Sequence, residues 1–510
     1  LSWRAQGSLR KAGDSRSPEY VLSNTGFEEE SGSYAVHYAI RKIHLEFAQS
    51  YYHSQLGILR SAHIGNPTDL TNAIQSGKPA YVAPFTYAIE NPKQDVTHRI
   101  TSAVLTIYLK RNWHVGMQYS RQLNDREEYD RAPRASQIDL YNTKPAYQMS
   151  LTTNLAELYV QHSIGKYIKG KLGISYMNQG NVSAGLQPII PNFKAYTYGV
   201  YLMEKWQHGR WMAEAGLRFD WREQTPFVYS RTGTQTDYRT YSGLTIVTGG
   251  AYTLNEHIHL QANISSAWRP PSINELYSYG LHGGTATFEI GNPNLNRESC
   301  VNSEAGIVFN TADWQAEASV YRNFFTGFIY NLPQPQPILT VRGAFPLLNR
   351  VQDNAVLQGI DASLNRNLGK RFSVGVNGAY LYAQNTSDNI PLIMMPANRL
   401  RLMLGYKEDQ FWKLNNLFAS FEYTFVAEQK RYPAGTDLIA PPPAYGLADV
   451  NVGFEAHIGK QPLRISISAY NLLNTSYRDY LSRFRYYALD PGFNLMLRVA
   501  APINFYQPKT

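Results

Sequence analysis

Apolar and polar residues alternate with a period of two in segment after segment of this chain, and no other feature restricts its folding so strongly. In "HIHLQANISSAW" (257–268) Ile258, Leu260, Ala262 and Ile264 are apolar, whereas His257, His259, Gln261 and Asn263 are polar. "RWMAEAGLRFDW" (210–221) sets Trp211, Ala213, Ala215, Leu217, Phe219 and Trp221 against Glu214, Arg218 and Asp220. "PLRISISAYN" (462–471) opposes Leu463, Ile465, Ile467 and Ala469 to Arg464, Ser466 and Ser468. A strand turns successive side chains to opposite faces, so this period specifies strands with one apolar face. No helical periodicity runs over a comparable length.

The spacing of these strands is a second, independent restriction. About twenty follow one another, and the gaps between them alternate short and long. Short gaps include "RK" near Arg41, "RN" near Arg111, "QHG" before Arg210, and residues 254–256, 311–313 and 368–370. Long gaps fall at 54–96, 125–146, 180–195, 223–239, 269–298, 331–354, 385–396, 428–445 and 472–490. A soluble sandwich has no reason to keep every second connection short. A barrel in an outer membrane has tight turns on the periplasmic side and long loops outside. A β-propeller needs a self-similar repeat of about 40–50 residues, and the chain has none.

Composition agrees with an all-β, antiparallel transmembrane barrel. Charged residues make up 17% of the 510, against about 25% in soluble domains, and aromatics reach 13% with 38 tyrosines. Mean hydropathy is −0.38, and no run approaches the roughly 20 apolar residues of a membrane helix. In a barrel half of each strand is polar, which hides the membrane signal. Trp206, Trp211, Trp221, Trp268, Trp314 and Trp412 fall at strand ends, as interfacial girdles require. The last strand aligns Phe493, Leu495, Leu497, Val499, Ala501, Ile503 and Phe505 as a lipid-facing stripe. About twenty strands enclose a lumen too wide for side chains to fill, so something else must block it.

Other function classes find little support. The net charge of +9 is spread along the chain without a nucleic-acid-binding motif. A single cysteine, Cys300, rules out an internal disulfide framework and a cysteine-based zinc site. The chain opens on Leu1 without a charged segment followed by an apolar one, so no signal peptide is expected within it. "GGTATFEIGN" (283–292) is glycine-rich but lacks Gly-Lys-Ser/Thr and does not lead from a strand into a helix, so it is no phosphate cradle. No G-x-S-x-G nucleophile elbow is present.

"AWRPPSINELYSYGLHGGTATFEIGNPNLNRESCVNSEAG" (267–306) resembles the most recognisable segment of TonB-dependent outer-membrane receptors. "YNLLNTSYRDYLSRFRYYALDPGFNLMLRVAAPINF" (470–505) is similar to that family's C-terminal box, and "NSEAGIVF" (302–309) to a common strand of its barrels. Family members carry an N-terminal plug inside a barrel of 22 strands. By "SLRKAGD" (8–14) this chain is already in a barrel strand. Residues 1–510 are therefore expected to be barrel throughout, without the plug, the first two strands or the TonB box that precedes the plug.

The resemblance implies a transporter rather than an enzyme, in the outer membrane of a Gram-negative bacterium. The cargo would be an iron complex, a ferric siderophore or haem, carried without an intrinsic cofactor. Its import would draw on the inner-membrane proton gradient through the TonB-ExbB-ExbD complex, acting on the plug. The implied surroundings are the lipid bilayer, not nucleic acid. Alternatives are a receptor for another metal chelate such as zinc, a glycan or peptide importer with a surface lipoprotein, and a passive porin. Haem receptors carry an aromatic-Arg-Ala-Pro box and an Asn-Pro-Asp-Leu box with a histidine between. Here these read Trp268-Arg269-Pro270-Pro271 and Asn292-Pro293-Asn294-Leu295, with His282 between; both boxes deviate.

Individual residues carry two readings each. His282 with Glu289 could ligate a metal or cap a haem iron, or His282 is a solvated loop residue beside two permissive glycines. Tyr277, Tyr279 and Phe288 share its loop and are candidate ligand contacts. Arg60 and His63, in "SQLGILRSAHIGNPTDL" (54–70), could bind an anionic siderophore or a haem propionate; alternatively this is an amphipathic segment packed across the barrel mouth. Arg269 and Glu298 are expected to pair and tie their loop to the wall, Glu275 belongs to the same structural motif, and Asn292, Pro293 and Asn294 are turn formers. His257 and His259, flanked by Glu256, offer a metal site or simply a polar lumen face.

Overall fold

Alternation of the kind just described demands that every strand find two neighbours, because an unpaired backbone cannot sit in lipid. The computed structural model describes residues 1–502 apart from 63, 65, 111, 131–143, 231, 232, 341 and 460. Among them, twenty long strands run from Ser2–Ala12 to Asn494–Ala500. Each pairs antiparallel with the next in a single continuous meander. No register among the described residues joins the first strand to the last, and both are exposed along nearly their whole length. Ile503 and Phe505 of the expected terminal stripe lie outside the described residues.

The short connections are turns of two to four residues. They close through left-handed backbone at Gly209 (φ 58°) and Gly369 (φ 69°), and also at Arg41 (φ 50°) and Trp412 (φ 56°). Opposite them, the strands overrun the membrane. Lys93–Lys110, Trp211–Ser230 and Leu347–Leu368 have 18, 20 and 22 residues, where about 9–11 suffice to cross. This moves several loop boundaries inward from those expected. The loop expected at 125–146 begins only after Tyr129, and that expected at 331–354 is confined to 334–346. Above the lipid both faces are wet. Arg121, Asp125 and Glu127 occupy the face that carries Met117 and Tyr119 lower on the same strand, so the ladder continues where alternation has ended. A further long connection, 13–26, carries its own small pair, Ser15–Arg16 with Val21–Leu22.

Within the band, the apolar faces point outward. Trp211, Leu217, Phe219 and Trp221 are exposed on one strand, Leu244 and Ile246 on its neighbour, and Leu495, Leu497 and Val499 on the last. Trp206, Trp211, Trp221 and Trp412 are exposed as girdle residues should be. Trp268 differs: its ring covers Gly243 on the adjacent strand so closely that a Cβ there would meet it at 2.3 Å.

Among the described residues, the largest hydrophobic cluster is made of loops. Tyr20 and Leu22, Leu59 to Ile74, Leu281 to Ile290, Ile338 to Phe345, Leu438 and Ile439, and Phe484 to Ala488 supply one hydrophobic cluster. It joins six of the long connections. Helix Pro67–Ser76 lies among them; Asn66 caps its start by accepting from the Asp69 amide, and it turns fully buried Leu70 into the cluster. Polar bonds cross between the same loops. Ala344 donates its amide to the Ile64 carbonyl at 2.8 Å, Tyr487 its hydroxyl to the Ala286 carbonyl at 3.2 Å, and Arg478 a guanidinium N–H to the Gly77 carbonyl at 2.7 Å. The long-loop end thus carries a packed cap.

Candidate functional site

The loop 270–297 supplies the centre of the cap, and its local sequence explains its path. Ser272 caps the short helix Ile273–Tyr277 and receives back the Glu275 carboxylate, a reciprocal capping box. Glu275 also accepts from Arg269, at 2.8 Å from Nη1 and 3.1 Å from Nη2. Arg269 does pair with Glu298, through Nε and Nη2 at 3.1 Å each, and Glu298 accepts the Ile329 amide at 2.7 Å. Burial would push the Glu275 carboxyl up, but the Arg269 guanidinium and the Ser272 amide hold it below the usual carboxylate range.

The Asn-Pro-Asn-Leu box is a turn with an anchor. Asn292 accepts the Asn294 amide on its side chain at 2.9 Å, and Leu295 is buried against Leu276 and Ile329. Pro293 sits between them. Gly291 passes so near the helix that a Cβ would lie 2.7 Å from Leu276 C and Tyr277 N. Pro271 accepts at its carbonyl from Gln224 at 3.3 Å, and Pro270 continues the exit from the strand Ile258–Arg269.

From this anchorage a hairpin projects, Tyr279–His282 paired with Thr287–Ile290. Its second strand also pairs parallel to Leu347–Asn349, while the Tyr279 amide donates to the Ile189 carbonyl at 3.0 Å. At the hairpin tip His282 bridges two carboxylates. Nδ1 stands 3.2 Å from Glu289, and Nε2 stands 3.5 Å from Glu128 at the top of the strand Trp113–Tyr129. Gln94 donates to Glu128 at 2.9 Å, and Arg350 lies 3.1 Å from the other oxygen of Glu289. The row Gln94–Glu128–His282–Glu289–Arg350 therefore runs from the fourth and fifth strands to the fourteenth, through the hairpin between them.

Charge in this row is mutually enforced. Burial opposes an imidazolium at His282, yet the two carboxylates overcome it and raise its pKa to about 9. Burial likewise pushes Glu289 up, while His282 and the Arg350 charge hold it below its ordinary value. One oxygen of Glu128, Oε2, is buried without a partner, and Gly283 faces it at 3.4 Å from its Cβ position. Each imidazole nitrogen faces a different carboxylate. Among the described residues no group of three or more His, Cys, Asp or Glu is arranged to hold a metal ion.

The other sequence-derived residues are dispersed. Tyr277 donates its hydroxyl to Asp237 and stacks on Arg239, and burial with that bond pushes its pKa up. Tyr279 is strongly exposed and meets the buried Phe288 edge to face at 5.4 Å. Arg60 is held by Glu90 and by Tyr81, whose hydroxyl is at 3.2 Å; His63 lies outside the described residues. His257 and His259 are not brought together: the first contacts the Asn310 carbonyl at 3.0 Å from within a short turn, the second Thr253 at 3.2 Å. Sequence reasoning missed Glu128, Arg350 and Gln94, and two further ion pairs in the cap, Arg342–Asp130 at 2.6 Å and fully buried Arg485 with Asp437. The only signal for Glu128 was its place on the inward parity of its strand.

Known proteins share this architecture. The sequence profile of the family described as "TonB dependent receptor-like, beta-barrel" matches residues 45–472. The iron-regulated outer membrane virulence protein of Vibrio cholerae is 24% identical over 243 residues, 45% of this chain and 36% of that protein. The ferric enterobactin receptor PirA of Pseudomonas aeruginosa is 24% identical over 224 residues, 40% of this chain and 29% of that protein. The chain thus spans about a third of these curated relatives. Among solved structures, the copper transporter OprC superposes with a TM-score of 0.75 at 15% identity, over 98% of this chain and 75% of that one. The FrpB iron transporter of Neisseria meningitidis gives 0.70 at 14%, over 98% and 76%. At such identities the structures speak for the fold alone. With the profile covering most of its length, the chain belongs to the TonB-dependent receptor-like β-barrel family and is an outer-membrane barrel.

Proposed function

We propose that this barrel is the wall and mouth of an active importer for an iron complex, a ferric siderophore or haem. Its energy would come from the inner-membrane proton gradient through TonB-ExbB-ExbD, acting on a plug seated in the lumen. The barrel would be completed by that plug and by two strands preceding residue 1. The observation that carries this reading is the cap: six long loops share one core over the lumen, with a row of charge through its centre. A static pore gains nothing from such a cap, whereas an importer that binds and then releases needs a mouth that can close and open. The ferric enterobactin receptor among the curated relatives supports the same choice of cargo. In this reading the His282–Glu289–Arg350 row supplies the charged hydrogen-bonding groups that meet the chelate, and exposed Tyr279 offers an aromatic ring on the opposite face of the hairpin.

The test is uptake by cells that depend on the full-length receptor, supplied separately with labelled ferric siderophore, haem and zinc. Uptake of one iron complex should saturate and stop when a protonophore collapses the gradient. His282→Ala and Arg350→Ala should weaken it by about tenfold, the effect of losing one charge-assisted contact. Non-saturable uptake that survives the protonophore would sink the importer. Unchanged uptake of all three by His282→Ala would remove His282 as a contact.

A further inference from the structure

The outer wall carries a second feature unrelated to the lumen. Pairing places Ala262, Ala305, Val320, Ile360 and Tyr380 on the lipid-facing side of five consecutive strands. Because Ala262, Ala305 and Ser303 are small, they floor a groove of about 540 Å³ between larger neighbours. One edge of that groove is cationic. Arg322 is exposed on the same face, beside Ser303 and Gln358 in the pairing. Its guanidinium lies over Phe324 at 4.4 Å, directed along the strand away from Trp314. Further along the same edge Arg431 stacks on Tyr382 at 3.9 Å and reaches Gln384 at 2.7 Å.

Height along the wall fixes what these arginines meet. Arg322 is eight residues above Trp314 on one strand. At about 3.3 Å per residue and the usual barrel tilt, this is roughly 20 Å, near the top of an apolar band about 25 Å tall. The Arg322 guanidinium therefore stands at headgroup level on the long-loop side with its stem in the apolar region, and Arg431 reaches the same level from the loop after Val426, over Tyr382, which pairs with Gln358 beside Arg322. Among the described residues neither is ion-paired with a carboxylate. Arg121, at a similar height on another strand, differs in sharing its face with Asp125 and Glu127. A second outer groove, lined by Met117, Leu158, Ile174, Val200 and Phe219, has no outward cation.

We propose that Arg322, Arg431 and the adjoining groove form a docking site for a phosphorylated lipid of the outer leaflet. The guanidinium groups take phosphate, with Ser303 and Gln358 as further hydrogen-bonding groups, and the groove takes an acyl chain. Charge complementarity selects this occupant, since an apolar groove that ends in unpaired cations matches a chain that ends in an anion.

Native mass spectrometry of the full-length receptor, titrated with diphosphoryl lipid A or with phosphatidylcholine, tests the site. One lipid A should bind well ahead of any phosphatidylcholine, and R322Q/R431Q should weaken it by about tenfold or more. R322K, which keeps charge without the fork, should fall between, and Arg218→Gln on the lumen face should change nothing. A large excess of inorganic phosphate should fail to displace the lipid, because the groove contributes. The proposal is overturned by equal binding of phosphatidylcholine, by unchanged lipid A affinity in the double variant, or by displacement with inorganic phosphate alone.

Discussion

Arg269 meets Glu298 with both contacts at 3.1 Å, although the two residues stand at opposite ends of a long loop. They face one another in register where the strands Ile258–Arg269 and Glu298–Asn310 begin to part. The same guanidinium grips Glu275, so one side chain closes the loop at its base and fixes the helix that starts it.

Removing Arg269 leaves two carboxylates, each 9% exposed, without their cation. Breaking a buried pair costs about 3–5 kcal/mol. Arg269 itself is 41% exposed, and solvent screens part of that, so Arg269→Ala should cost about 2 kcal/mol locally. Amide exchange across 273–295 in the reconstituted receptor should speed up while the barrel strands stay protected. Arg269→Lys should recover only part of it, since a point charge cannot make both forks. Unchanged protection in Arg269→Ala would mean the loop is held by its apolar anchor, Leu295, alone.

The charged row at His282 makes the cap sensitive to pH, with a definite sign. His282 has a folded pKa near 9 against 6.5 for the free side chain. Its stabilising charge is therefore fully present below about 6.5 and is lost as pH rises through about 9. Glu289 is held below its ordinary value, so its contribution is present above that value and lost in acid. Facing His282 are Glu128 with Gln94 on the wall, and Glu289 with Arg350 on the other side. After correction for intrinsic rates, amide protection at 283–286 should decline between pH 7 and 10. In His282→Gln the same profile should be flat. A decline of equal size in that variant would assign it to another group.

Leu70 is the cap's clearest apolar anchor, fully buried from a helix whose outer face is polar. Leu70→Ala should cost about 2–4 kcal/mol, the range for a well-packed leucine. Since the helix is joined to the barrel through the connection 77–92, limited proteolysis there should accelerate by more than about tenfold. Native resistance in the variant would show that the polar link from Arg478 to the Gly77 carbonyl suffices.

The barrel was legible because its determinants are local. A stripe such as Trp211 to Trp221 announces a strand and its outward face without reference to anything distant, and a turn such as 311–313 announces its neighbour. The base of the loop 270–297 was nearly as open to reading, because Arg269, Glu275 and Glu298 stand at the ends of a connection that returns to the adjacent strand. The cap was not. Tyr487 meets Ala286 across 201 residues, and Arg342 meets Asp130 across 212, and no period in the sequence relates such positions. His282 was visible as a loop histidine, but its partner Glu128 belongs to a wall strand more than 150 residues before it in the chain.

If the cap must open for cargo to pass, tying two of its loops together should stop transport. Ile64 and Ala344 form an isolated antiparallel bridge, joined by the Ala344 amide at 2.8 Å. Residues so paired have Cα atoms about 4.5–5.5 Å apart, within the 4.4–6.8 Å a disulfide spans. Ile64→Cys with Ala344→Cys, in a Cys300→Ser background that removes the native thiol, should therefore cross-link on oxidation. The oxidised receptor should retain surface binding of the iron complex only if the ligand site is outside the cap, and in either case should lose at least about nine-tenths of its uptake. Reductant should restore both. Full-rate uptake by receptor shown to be cross-linked would mean that loops 58–92 and 334–346 move as one body, and that the passage opens between the hairpin and Glu128 instead.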